Sequence, residues 1–245
     1  MRTARNDEPV SVLHRVLVIL EAVRIAGGSC SVSSIAARTR IPKSSVSRLV
    51  AELVRQRYLV RDAAGVSIGL RLFELGARAS SPRLLGAAAR PVLAELSRAT
   101  GEHLNLAVRD GADMLSVVAV PGRLRPLPSR AGARVPSVST ALGKAVLAYA
   151  SEDDLLPITA GLTPGARVTY LRELADVRRC TVAVDHCATF AGVIAVASPV
   201  LGRDRAPIAA ISVSGPAADM DPDRMAPLIR EAARTLSHRL DARVA

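Results

Sequence analysis

The chain has 245 residues, 49% hydrophobic and 22% charged, with 33 Lys and Arg against 22 Asp and Glu for a formal net charge of +11. Such a chain is globular, and its length fits one large domain or, as expected here, two smaller ones. Three unevenly spaced cysteines imply neither a disulfide framework nor a four-cysteine metal site, and no apolar run reaches the length of a membrane span.

Near the start, Glu21 and Arg24 interrupt the apolar stretch 16–19 before a signal-peptide core forms, so a soluble, cytoplasmic protein is expected. Val12, Val16, Ile19, Leu20 and Val23 recur at helical spacing and stop at Gly27-Gly28, a helix with a glycine break. Ser31 is placed to cap a short helix carrying Val32, Ile35 and Ala36 inward and ending near Thr39-Arg40, before Pro42 opens a third helix. On that third helix Val46, Leu49, Val50, Leu53 and Val54 form one apolar stripe, and Ser44, Ser47, Arg48 and Arg55 stand opposite. A short helix, a tight turn and a longer basic helix make a helix-turn-helix. The segment RDAAGVSIGL alternates weakly around Gly65 and reads as two short strands, the wing of a winged variant, and RLFELGARA is helical again. The first 80 positions hold 13 of the 33 basic residues and 6 of the 22 acidic ones, so they carry +7 and the remaining 165 residues +4. Positive charge concentrated on a small unit suits a polyanion, because each phosphate neutralised releases condensed counterions.

The second unit opens with a helix over SPRLLGAAARPVLAELSRAT, ended by Gly101. HLNLAV, the turn Asp110-Gly111 and DMLSVVAV then read as a hairpin. A Pro/Gly/Arg loop over 121–136 precedes a helix starting near Ser139; strands are expected at 181–184, 192–200 and 208–214, and a closing helix over 222–240. Strands in the middle with helices at both ends give an α+β class, unlike the regular alternation of a doubly wound sheet. In AAISVSGP the period of two puts Ser212 and Ser214 on one face and Ile211 and Val213 on the other.

Several of these stretches, SVLHRVLVILEAV, IPKSSVSRLVAELVRQRYLVR, TGEHLNLAVRDG, STALGKAVLA, GVIAVASPV and AAISVSGP, stand in the order and at about the spacing of the IclR family of bacterial transcriptional regulators, which the chain resembles over nearly its whole length. The resemblance implies an N-terminal winged helix-turn-helix over residues 1–79, bound to double-stranded operator DNA, and a GAF-like effector-binding domain over residues 80–245. It also implies a homodimer or homotetramer; separately, no membrane partner and no cofactor are expected. Carried onto this sequence, the resemblance makes the third helix, Pro42 to Arg57, the recognition helix and assigns DNA contacts to Lys43, Ser44, Ser45, Ser47 and Arg48. The residues agree: the first turn of a helix offers free amides to a phosphate, and Arg48 one turn on can reach a guanine edge. The effector pocket, by the same resemblance, is framed by Thr140, Ala141, Leu142, Asp185, Ala195, Ser212 and Ser214. Two aligned hydroxyls, a carboxylate and a helix start near Ser139 suit a small organic acid with a hydroxyl or carbonyl; with two Phe, three Tyr and no Trp, stacking on a large planar ligand is less favoured. The chain departs from the family at Arg40, where glycine is usual in the turn, at Ala195, where cysteine is common, and at Cys187 and Ala188, where acidic residues are common.

Other motifs carry less. VSTALGKAV resembles a phosphate-binding loop superficially, but Val138 stands for its first glycine and Ala145 for its Mg²⁺-binding hydroxyl. Cys180, Asp185, His186 and Cys187 match no common zinc spacing, and His103 beside Asn105 reads as a partly buried hydrogen-bonding residue. The competing functions are an enzyme using Asp185 with His186 or Cys187, and a sensor whose N-terminal helices bind another protein.

Overall fold

The structure is a computed structural model that describes residues 11–78, 80–123 and 130–244. The chain separates into two compact units, Met1–Ser80 and Ser81–Ala245.

In the first unit α1 (Val12–Ala26) opens at Ser11, whose hydroxyl accepts the His14 N–H, and ends at left-handed Gly27. α2 (Val32–Thr39) is capped in the same way by Ser31 from the Ser34 N–H, and α3 (Lys43–Arg55) follows after a three-residue turn. β1 (Leu59–Asp62) and β2 (Gly65–Ile68) form the antiparallel wing, extended by one bridge between Cys30 and Val66. Gly65 sits at φ +133°, and a Cβ there would stand 2.7 Å from the Cys30 carbonyl oxygen, so the wing closes on α2's leading loop only with glycine. α4 (Leu70–Gly76) completes the unit. Ile19, Val23, Ile35, Val46, Val50, Leu59 and Val66 meet in one buried cluster, so α1, α2, α3 and the wing share a core. Of the expected stripe on α3, Val46, Val50 and Leu53 are buried, and Leu49 and Val54 flank them half-buried.

The second unit runs α5 (Ser80–Thr100), β3 (His103–Asp110), β4 (Asp113–Val120), β5 (Arg134–Pro136), α6 (Ala141–Leu147), α7 (Glu152–Thr159), α8 (Pro164–Cys180), β6 (Ala183–His186), β7 (Val193–Leu201), β8 (Pro207–Pro216) and α9 (Pro222–Val244). Its strands form one antiparallel sheet in the order β5-β4-β3-β8-β7-β6. One face packs large aliphatics, Leu104, Leu106, Ile211 and Val213, against α5 and α9. The other face carries Ala107, Ala183, Ala197 and Ala210 against α6 and α8. Small side chains there let α6 lie close to the sheet. At Gly143 it lies so close that a Cβ would collide with the Ser137 backbone.

Several expected boundaries move. The hairpin turn is Gly111-Ala112, because Asp110 pairs with Asp113. Within the expected loop 121–136, residues 124–129 lie outside the described residues, and Arg134–Pro136 pairs with β4 as an edge strand. Thr181 belongs to no strand: it caps α8 in the left-handed conformation at φ 58°, and β6 begins two residues later. The third helix ends at Arg55, with Gln56 as its cap and Arg57 at φ 64°, and the closing helix runs on to Val244. α7 and α8 were not expected, although Ser151 and Thr163 both cap by accepting backbone N–H bonds. Among the described residues no helix is long and apolar enough to cross a membrane.

Candidate functional site

The first site is the open face of α3. Lys43, Ser44, Ser47 and Arg48 are exposed there, and Ser45 is half-buried. Pro42 holds the cap position without a side-chain hydrogen bond, so Ser44 does not cap the helix and the first-turn amides are left without intrahelical partners. Among the described residues neither Lys43 nor Arg48 has an acidic partner within ion-pair distance. Arg55, expected on the same face, is tied instead to Glu52 at 2.5 Å, and Gln56 donates to the same carboxylate. Arg40 adopts φ 57° and ψ 21°, so the turn keeps its left-handed geometry on a non-glycine residue. Arg57 and Arg61, exposed at and after the helix end, were not singled out from sequence; Arg61 was hidden by the weak alternation of the wing.

The second site is a cavity of about 60 Å³ between α6 and the sheet. All seven residues expected in the effector pocket line it. Their states differ. Thr140 uses its hydroxyl fully, donating to the Pro136 carbonyl at 2.9 Å and accepting the Gly143 N–H at 3.1 Å, so it shapes the wall with Ala141 and Leu142. Asp185 is buried, and its Oδ1 accepts the Ala188 N–H at 2.8 Å. Ser212 is 2% exposed, yet among the described residues neither its hydroxyl nor that of Ser214 makes a hydrogen bond. Other serines of the unit behave otherwise: Ser198 donates to the Thr181 carbonyl and Ser116 to Asn105 Oδ1 at 2.6 Å. Strand alternation therefore leaves two hydroxyls, one buried and one half-buried, facing a cavity rather than tied to backbone.

Six further lining residues escaped the sequence reading: His103, Asn105, Val135, Thr189, Phe190 and Val193. His103 and Asn105 had a signal, since the alternation of HLNLAV puts them on the face opposite Leu104 and Leu106. His103 is 5% exposed, and its Nε2 has no hydrogen-bond partner among the described residues, unlike the bonded histidine expected. Burial pushes its pKa down from the ordinary imidazole value. Phe190 adds an aromatic ring to a wall where stacking was expected to contribute little: it comes from the loop after β6, where no periodicity marks it. Thr189 on the same loop donates to Ser139, joining it to the segment before α6.

The arrangement offers no catalytic pair. Asp185 faces the cavity, whereas its neighbour His186 is exposed, and Cys187 leaves the strand at φ 61°. Among the described residues no group of three His, Cys, Asp or Glu side chains is placed to hold a metal ion.

A winged helix-turn-helix joined to a GAF-like α/β unit with a mainly apolar cavity that carries a few polar groups defines a class of two-part DNA-binding regulators. The sequence model for the IclR helix-turn-helix domain matches residues 12–63, and that for the bacterial transcriptional regulator IclR C-terminal domain matches residues 79–238. The chain belongs to the IclR family of bacterial transcriptional regulators. It is similar to the HTH-type transcriptional repressor AllR of Escherichia coli strain K12, 30% identical over 94% of this chain and 92% of that one. It is also similar to the transcriptional repressor IclR of the same strain, 28% identical over 91% of this chain and 86% of that one. Among solved structures, an IclR homolog complexed with 4-hydroxybenzoate from Microbacterium hydrocarbonoxydans superposes with a TM-score of 0.85 at 26% identity, covering 95% of this chain and 100% of that one. The Thermotoga maritima IclR gives 0.73 at 26% identity, over 94% and 98%. The protein is a DNA-binding regulator and not an enzyme.

Proposed function

We propose that this protein is an operator-binding repressor whose DNA affinity is set by a small organic acid held in the cavity of the second unit. Residues 1–79 bind DNA through Lys43, Ser44, Ser45, Ser47 and Arg48 on and beside the open face of α3, and residues 80–245 bind the effector. The observation that carries the effector reading is the pair of uncommitted hydroxyls on the cavity side of β8, buried at Ser212 and half-buried at Ser214. Buried polar groups are almost always paired, and a ligand carboxylate pairs both. Asp185, with one oxygen committed to Ala188, accepts a hydroxyl from the same ligand. Thr140, Ala141, Leu142 and Ala195 close the wall around it. The ligand in the solved relative, 4-hydroxybenzoate, combines a carboxylate with a hydroxyl and so falls in this class. Phe190 in the lining extends the class to flat ligands. Ligand and DNA are coupled through their different affinities for two conformations of the protein.

Thermal-shift screening of small carboxylic acids on the wild type and on a Ser212→Ala, Ser214→Ala double variant tests the site. The expected result is stabilisation of the wild type alone; equal stabilisation of both places the ligand elsewhere. A mobility shift on the chain's own upstream DNA, with and without the stabilising acid, then reads the coupling.

A further inference from the structure

The strand register places four pocket residues in one row across the sheet. His103 on β3 is paired with Ser214 on β8, Ser214 with Ala195 on β7, and Ala195 with Asp185 on β6. His103 and Asp185 thus stand at opposite ends of the row, three strand spacings or about 14 Å apart along the backbone. All four residues line the cavity. The small side chain of Ala195 leaves room in the middle. At one end stands the Asp185 carboxylate, with one oxygen held by the Ala188 N–H. At the other a buried imidazole adjoins the half-buried Ser214 hydroxyl, and its Nε2 has no partner among the described residues. An unpaired nitrogen at 5% exposure is costly, and such groups persist where a ligand completes them.

We propose that His103 is the acid-end anchor of this pocket: its Nε2 donates to the ligand carboxylate beside the Ser214 hydroxyl, while Asp185 accepts from a ligand hydroxyl at the far end. The proposal rests on the reading of this cavity as the effector site and adds an orientation and a specificity to it. A reversed ligand sets its carboxylate against Asp185, and like charges in a buried site exclude that pose. A neutral imidazole carries one N–H, and a carboxylate facing Nε2 selects the tautomer that has it there. The pocket therefore takes hydroxycarboxylic acids in one direction. Acids lacking the hydroxyl leave Asp185 without its donor.

Titration calorimetry on the full chain separates the possibilities, using glycolate, 3-hydroxybutyrate and 4-hydroxybenzoate against their hydroxyl-free partners acetate, butyrate and benzoate. At least one hydroxy acid is expected to bind the wild type tenfold or more tighter than its partner. His103→Leu should weaken that acid at least tenfold while the Tm of the free protein stays level or rises, since the substitution removes an unpaired buried nitrogen. His103→Gln, which keeps an N–H donor at similar reach, should bind within about threefold of wild type. If His103→Leu binds like wild type while the Ser212→Ala, Ser214→Ala variant does not, the role of His103 is overturned and the effector site stands. Should His103→Leu fail to fold, His103→Gln decides, and tenfold weaker binding at an unchanged Tm refutes the donor role. A wild type that binds none of the six acids removes both readings together.

Discussion

Arg48 and Arg55 stand on one helix and make opposite cases. Arg55 is held by Glu52, whereas Arg48 is exposed without an acidic partner among the described residues. Arg48→Ala is expected to cost about 1–3 kcal/mol of operator affinity, the range of one good base contact, with no change in thermal stability. Arg55→Ala should change operator binding less. Equal affinity of Arg48→Ala and wild type in a mobility shift removes Arg48 from the reading surface. Arg40 carries a cost the family's glycine avoids. A left-handed non-glycine residue costs about 1 kcal/mol or slightly more, and glycine returns part of that as chain entropy. Arg40→Gly should therefore raise stability by up to about 0.5 kcal/mol in urea denaturation; a loss of stability contradicts the strain. His103 gives a pH signature. Its folded pKa lies below the unfolded one, so the unfolded state binds the proton more tightly. Its stabilising contribution is complete above the unfolded value, near 6.5, and is lost as pH falls through the lower folded value. Between pH 7 and pH 5 the wild type should lose more Tm than His103→Leu does.

The short α6 does more than its seven residues indicate, because it roofs the cavity and touches Ser137 at Gly143. Gly143→Ala pushes the helix off the sheet and should cost about 1–3 kcal/mol, the usual range for overpacking, along with stabilisation by any bound acid. Preserved ligand stabilisation in that variant would show the roof to be dispensable. Elements with a strong period were legible in the sequence: α3 buries Val46, Val50 and Leu53 of its marked stripe, and α1 buries Ile19 and Val23, although Val12 at its start is exposed. α8 was not, because its buried face is only Tyr170, Leu174 and Val177 among arginines and other polar residues. α7 had a capping serine and three acidic residues in its first turn, a start signal that its short length obscured. The pocket was half legible. Ser212 and Ser214 followed from alternation, but His103 and Asn105 needed the knowledge that β3 lies beside β8, and Phe190 depends on a loop with no periodic signal.

One recognition helix reads too few base pairs for tight discrimination, so the working form is expected to present two of them to two half-sites, as a homodimer or homotetramer. Footprinting should show a repeated half-site, and solution mass at least twice that of the chain. A single half-site with a monomeric mass overturns this. Most of the affinity then comes from phosphates. The first unit's positive charge makes operator binding steeply dependent on salt, and with six to ten phosphate contacts the affinity falls by about 10³–10⁵ between 50 and 200 mM salt. A flat dependence assigns the basic excess to another task.

The pairing of His103 with Ser214 joins positions over a hundred residues apart, and β8 lies at the centre of the sheet while arriving last of its strands. During synthesis β3 waits for almost the whole second unit before it acquires its inner neighbour, and the closing of so long a loop is expected to be a slow event in folding. Until then Ser212 and Ser214 have no cavity to face. On the proposed effector site, a chain stopped before Pro207 therefore keeps the residues of the first unit and loses Ser212 and Ser214, and with them the row that a ligand would meet.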